Sequence, residues 1–277
     1  MQVLKKVLIG IAFSPNLKPN LFEAIRISNM FGTELIGVHV GDKNQDKEDQ
    51  LQQLLAEAPK LDTPLKTIWQ KGKPVEVILK TSSIEEIDLL ILGALQKENF
   101  YKYYVGSIAR ELTRKAACSV LLLIKPSVDR VPCKHIVVNG LKDKKTKDTI
   151  KTAFKVGNHL DCKRITIVEE ISQSELDVKV SDDASLRKAT IKKERIKKRE
   201  DMRVEKILKD IDCKNTTLKI QSIFGRRGYS IGHYAKVKRA DLLIMNAPLK
   251  TTFIDRIFPH DIEYILSELP TDLLIVK

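Results

Sequence analysis

The chain has 277 residues, of which 43% are hydrophobic and 31% charged, and it carries a formal net charge of +13. That length suits two ordinary domains, and no apolar run approaches the roughly 20 residues that a membrane-spanning helix needs. Its four cysteines are widely spread with no C-x-x-C pair, which argues against a disulfide scaffold or a zinc site and for reduced thiols in a cytoplasmic protein.

The first segment, "MQVLKKVLIGIAF", joins lysines to a short apolar run in the manner of a signal peptide. It has no small-residue cleavage site, and "VLIGIAF" reads better as a buried first strand. Asn20 is placed to cap a helix whose Leu21, Ala24, Ile25 and Ser28 follow the i, i+3, i+4, i+7 rhythm. Gly32 sits where a C-terminal cap belongs, and "ELIGVHV" is the next strand. A polar helix over 46–57 leads to the strand "LKTIWQ", and Pro74 opens a helix carrying Val75, Ile78 and Leu79. "DLLILG" and "SVLLLI" complete five strands. These runs are apolar throughout instead of alternating, as expected of strands covered on both faces, so the predicted fold class is α/β with a parallel, doubly wound, Rossmann-like sheet.

The chain then repeats itself. "DLLILGA" from Asp88 to Ala94 recurs as "DLLIMNA" from Asp241 to Ala247, 153 residues further on. "KKVLIGIAF" from Lys5 is answered by "CKHIVVNGL" from Cys133, and the closing strands end at Lys125 and Lys277. This predicts two tandem domains, 1–126 and 133–277, joined by "PSVDRVP", where two prolines discourage regular structure. The second copy runs "HIVVNGL", a helix around 150–160, "RITIVEEI", a basic helix, "TLKIQSIF", another helix, "DLLIMN" and "DLLIVK". The basic helix fills the slot of the second helix, lengthened. Between Arg187 and Lys209 it holds eleven basic and four acidic residues. Its Leu186, Ile191, Ile196, Val204 and Leu208 are too irregular for a coiled-coil seam, so a long surface helix, part of it projecting, is expected. A charged segment of this kind can meet nucleic acid or anionic lipid, but it has no aromatic residue for base stacking, and a solvated face is the simpler reading.

One spacing carries chemistry. Gly93, two residues, Gln96, nine residues, Gly106 and Ser107 lie between a strand and a helix. With the five-strand order, this resembles the universal stress protein family in a tandem, two-domain form; the family's motif has glycine where Gln96 stands. The resemblance implies a five-stranded parallel sheet of order 3-2-1-4-5 in each domain. In nucleotide-binding members it implies ATP or AMP held over the carboxyl ends of the first and fourth strands. The matching positions here are Ala12, Phe13, Val40, Gly93, Ala94, Gln96, Gly106, Ser107 and Ile108. Physically, glycines let backbone approach phosphate, and a helix opening at Ser107 offers free N–H groups and a partial positive charge.

Two departures weaken this. Gln96 puts a side chain in the phosphate cradle, and Ala12 stands where such relatives carry an acid for the ribose hydroxyls. A lost neutral hydrogen bond costs about 0.5–1.5 kcal/mol, or about tenfold in affinity at most, so weak adenine-nucleotide binding is expected. Lys97, Lys102 and Arg110 could offset part of the loss. In the second copy Asn246, Leu249 and Pro259-His260 replace the motif and Leu141 takes the acidic position, so a non-binding structural or regulatory domain is expected there.

No catalytic constellation is expected: His39, His135, His159, His233 and His260 are scattered, and no Walker lysine or general base for ATP hydrolysis stands out. "GRRG" from Gly225 to Gly228 reads as a basic turn or a small anion nest. The expected function is a cytoplasmic stress-response regulator or sensor that acts by binding, without a metal, a membrane or catalysis. The alternative is a protein-interaction module without nucleotide; nucleic-acid binding through the basic helix ranks below both. Single-copy relatives commonly pair through the closing strand, so the resemblance implies an intrachain pseudo-dimer of the two domains, a further homodimer, or both.

Overall fold

The computed structural model describes residues 4–96, 103–176, 179, 181–213, 216–247 and 261–277. The chain divides into two compact units, 1–132 together with 266–277, and 133–265.

In the first unit the apolar runs become strands and the intervening amphipathic segments become helices. They run β1 (Lys6–Gly10), α1 (Leu17–Phe31), β2 (Glu34–Val40), α2 (Gln45–Glu57), β3 (Lys66–Gln70), α3 (Pro74–Ile84) and β4 (Leu89–Gly93). A two-residue ribbon, β5 (Leu95–Gln96) with β6 (Tyr103–Tyr104), precedes α4 (Ser107–Lys115) and β7 (Ser119–Leu123). The five main strands lie parallel in the order β3-β2-β1-β4-β7, the expected 3-2-1-4-5. Order reverses at β1 and β4, which opens a crevice at their carboxyl ends. Leu8, Leu35, Leu90 and Leu122 are fully buried in the sheet, as strands covered on both faces require.

The helix boundaries follow local chemistry. Gly32 caps α1 with φ 60°, its N–H donating to Asn29 O, and Pro74 opens α3. Leu21, Ala24, Ile25 and Ser28 form the buried stripe of α1. Asn20 does not cap that helix: α1 begins three residues earlier, and the Asn20 N–H already donates to Asn16 O at 3.2 Å.

The second unit continues with β8 (His135–Asn139), α5 (Thr146–His159), β9 (Arg164–Ser172) and, after a 3-10 turn, α6 (Asp183–Leu208). It closes with β10 (Thr217–Gly225), α7 (Tyr229–Val237), β11 (Leu242–Asn246) and the start of α8 (Asp261–Ser267). Four parallel strands stand in the order β10-β9-β8-β11, the first four places of the same 3-2-1-4-5 arrangement. The last strand of the repeat, β12 (Asp272–Val276), packs with the first unit and pairs antiparallel with β7, Leu274 opposite Leu121. Asp272 accepts from Ile124 N at 2.8 Å, and Lys277 N donates to Ser119 Oγ at 3.2 Å, so both ends of β7 are tied to it.

Candidate functional site

At the carboxyl end of β4, Gly93 lies opposite Leu123, and the buried Ala94 donates its N–H to Leu123 O at 2.7 Å. A Cβ on Gly93 would stand 2.5 Å from Asn20 Nδ2 and 2.8 Å from Asn20 Oδ1. The glycine therefore makes room for a side chain delivered by the first turn of α1. Asn20 Oδ1 is buried with no hydrogen-bond partner. A buried acceptor left open at a strand mouth is the kind of group a ligand hydroxyl or a water completes.

On the other side of this mouth, Gly106 is the N-cap of α4 and Ser107 its first residue. Gly106 has φ −59° and ψ 160°, which any residue can adopt. Ser107 and Ile108 are exposed, and the first intrahelical bond is Arg110 N to Gly106 O. The N–H groups of Ser107, Ile108 and Ala109 thus have no partner within the helix and lie at the positive end of its dipole. Gln96 belongs to the β5–β6 ribbon, opposite Tyr103, where the family motif would place an open glycine. Arg110 does not stand free for phosphate, since its guanidinium donates to Leu266 O at 3.4 Å. Lys97 and Lys102 lie outside the described residues.

Near the end of β1, Phe13 joins an aromatic group that the sequence indicates only in part. Ala12 is exposed, and its carbonyl accepts from Ser14 N at 2.6 Å. Phe13 stacks on Trp69 with centroids 6.1 Å apart and meets the edge of His39 at 5.0 Å. His39 Nδ1 donates to Ile11 O at 2.8 Å, which leaves Nε2 to accept from Lys47 Nζ at 3.2 Å. Lys47 also lies 5.9 Å over the Phe13 ring, and Val40, half-buried, is the last residue of β2. Sequence reasoning misses His39, Trp69 and Lys47 as site residues. A signal exists: β2 and β3 pair in parallel with His39 opposite Trp69, so both side chains share a face.

At the corresponding mouth of the second unit neighbouring side chains bond one another, although Asn246 Oδ1, like Asn20 Oδ1, is buried without a partner. Asn246, in the place of Gly93, points its Nδ2 at Asp143 Oδ1 (3.4 Å) and Thr146 Oγ1 (3.3 Å). Leu141 donates its N–H to Asn139 Oδ1 at 2.8 Å, and the Thr146 hydroxyl bonds the Leu141 carbonyl. Glu169 occupies the place of His39, one residue beyond the β8–β9 pair Asn139–Val168. Arg203 of α6 reaches over to bond the Gly140 carbonyl, Glu169 at 2.7 Å and Glu200 at 2.8 Å. Burial pushes Glu169 up to about 7 despite the neighbouring guanidinium. The Gly225–Gly228 loop is no vacant anion nest. Glu170 accepts from Gly228 N at 3.0 Å and Ile231 N at 2.7 Å, so an internal carboxylate holds the start of α7. Leu249, Pro259 and His260 lie outside the described residues.

The basic helix is seated by one narrow stripe. Ile196, Glu200 and Val204 are buried, while Leu186, Ile191 and Met202 are exposed. Asp182 and Ser185 close its start in a reciprocal capping box. Among the described residues, no helix is long and apolar enough to cross a membrane, and no His, Cys, Asp and Glu group could hold a metal ion.

Comparison with known proteins places this geometry. The family model described as "Universal stress protein family" matches residues 4–123. No match was found among curated proteins. A universal stress protein from Archaeoglobus fulgidus DSM 4304 superposes with a TM-score of 0.72 at 15% identity, covering 100% of this chain and 99% of that one. A functionally unknown protein from Pseudomonas aeruginosa PAO1 gives a TM-score of 0.68 at 16% identity, covering 100% and 93%. The cytoplasmic domain of a prokaryotic cation chloride cotransporter gives 0.50 at 13% identity, covering 98% and 95%. At such identities the likeness is one of fold. Residues 4–123 are therefore a domain of the universal stress protein family, and the chain as a whole is built on the fold of solved universal stress proteins.

Proposed function

We propose that this protein is a cytoplasmic stress-response regulator that acts by binding, and that the crevice of its first unit takes an adenine nucleotide. The observation that carries this reading is Asn20 Oδ1, a buried acceptor without a partner beside Gly93. The open N–H groups at the start of α4 supply donors for phosphate oxygens. The faces of Phe13 and Trp69 offer stacking area for a purine, with the Lys47 ammonium nearby. Affinity is weak in this reading, because Ala12 offers no acceptor to ribose and the β5–β6 ribbon replaces the glycine cradle. The ligand is bound and not turned over.

A thermal-shift series of the intact chain with ATP and AMP tests the reading. Stabilisation should appear at millimolar nucleotide and fall away in Asn20→Leu, which removes the acceptor while keeping the volume. Equal shifts in both proteins would overturn it.

The second reading is a nucleotide-free protein-interaction module. It is favoured by one observation: Phe13, His39 and Trp69 already close upon one another at 5.0–6.1 Å. If that cluster stays closed, it fills the place where a base would stack, and no nucleotide shifts the melt.

A further inference from the structure

Cys133 and Cys162 are far apart in sequence, and the fold sets them side by side. β8 and β9 run parallel with His135 opposite Arg164. The residues two places before each are Cys133 and Cys162, so continuing the register brings them opposite one another where the strands begin. Neighbouring strands lie about 4.8 Å apart, within the Cα separations of roughly 4.4–6.8 Å that a disulfide can bridge. Both are free thiols, Cys162 buried and Cys133 half-buried. Cys162 Sγ, when protonated, donates to Arg164 O at 3.3 Å.

We propose that Cys133 and Cys162 are an oxidation site that closes into a reversible disulfide under hydrogen peroxide. The contact itself sets the roles. Hydrogen bonding between the paired thiols draws Cys162 down from the ordinary thiol range and holds Cys133 up. The nearby Asp241 carboxylate opposes ionisation of both, but for Cys162 it is the smaller effect. The other two cysteines lack such help: burial pushes Cys118 up to about 11 and also raises Cys213. The nucleophile is the thiolate, so the pair reacts ahead of them. Of the two, Cys133 is the half-buried thiol and Cys162 the buried one.

In the first step the Cys162 thiolate attacks one peroxide oxygen, the O–O bond breaks, and hydroxide leaves and is protonated to water. Cys162 is then a sulfenic acid. In the second step the Cys133 sulfur, losing its proton, attacks the Cys162 sulfur, and the S–O bond breaks to release a second water. Two thiols and one peroxide give one disulfide and two waters, with the two electrons passing from sulfur to peroxide. The new bond would tie the start of β8, immediately after Pro132, to the turn that follows α5.

The test uses the intact chain, treated with hydrogen peroxide for timed intervals, alkylated, digested without reductant and read by mass spectrometry. The linked Cys133–Cys162 peptide should form at least about tenfold faster than Cys118 is modified, and dithiothreitol should restore both thiols. Cys133→Ser should leave a Cys162 sulfenic acid that a 1,3-dione traps. Separate, unlinked oxidation of the two thiols, or oxidation of Cys118 at the same rate, overturns the proposal. Should the serine variant fail to fold, the competition between thiols within the unmodified chain still decides between these outcomes.

Discussion

Asp88 and Asp241 do the same work in the two halves. Asp88 Oδ2 receives the N–H groups of Lys5 (2.8 Å) and Lys6 (3.0 Å), and Asp241 Oδ2 those of Lys134 (2.7 Å) and His135 (2.9 Å). Each carboxylate satisfies two donors where a first strand enters the sheet, and this explains why the repeated motif begins with aspartate. Single residues also decide how each strand mouth is packed. Gly93→Ala should push Asn20 from its place, because the new methyl would stand 2.5 Å from Nδ2. Chemical denaturation should show a loss of about 1–3 kcal/mol, and an unchanged midpoint would contradict the role given to that glycine. In the second unit, Glu169 is raised from 4.5 to about 7, so the folded state holds its proton more tightly than the unfolded chain. Its contribution to stability is full below about 4.5 and is lost as pH rises through about 7. Glu169→Gln, which mimics the protonated acid, should therefore exceed the native chain by about 1–3 kcal/mol at pH 8, with the gap closing toward pH 4. Melts across that range check both the size and the direction.

At the scale of elements, helix exits show where local preference is overridden. After α1 the left-handed turn is made by Gly32 at φ 60°, but after α5, α3 and α7 it is made by Asp161, Glu86 and Arg239 at φ 54°, 54° and 50°. A non-glycine residue incurs a conformational cost there. Glu86 is exposed, so Glu86→Gly should raise stability by about 0.5–1 kcal/mol, read as an upward shift in the denaturation midpoint; a downward shift would contradict this. Elements are legible in the sequence to the extent that one segment determines them. Gly32 and Pro74 mark their helix ends by their own backbone chemistry, and the apolar runs mark strands. Asn20 misleads because a capping residue type also occurs inside a first turn. The candidate site is visible in the sequence only as its Gly93–Gly106 spacing, which is local. The Phe13–His39–Trp69 group, the Arg203–Glu169 contact and the Cys133–Cys162 pair are not, since each depends on strand register or on where a long helix lands.

For the molecule as a whole, the repeat in the sequence announces two copies of one topology, and the strand orders agree with it. The pairing of the last strand with β7 follows from the family resemblance and not from the repeat, because "SVLLLI" and "DLLIVK" are equally apolar and period alone does not choose an edge or a direction. β12 covers the edge of β7 in the first unit, with Leu273 and Ile275 fully buried. A chain ending at residue 265 should melt lower and aggregate, since β7 would then expose an unpaired apolar edge; light scattering during a thermal ramp detects this, and an unaltered melt would contradict the role given to β12. Whether the first unit's crevice takes an adenine nucleotide is decided by titration calorimetry of ATP into the intact chain. Saturable heat is expected, with a dissociation constant in roughly the high-micromolar to millimolar range, reduced or abolished in Asn20→Leu. No heat at millimolar ATP from a folded protein would contradict nucleotide binding in that crevice.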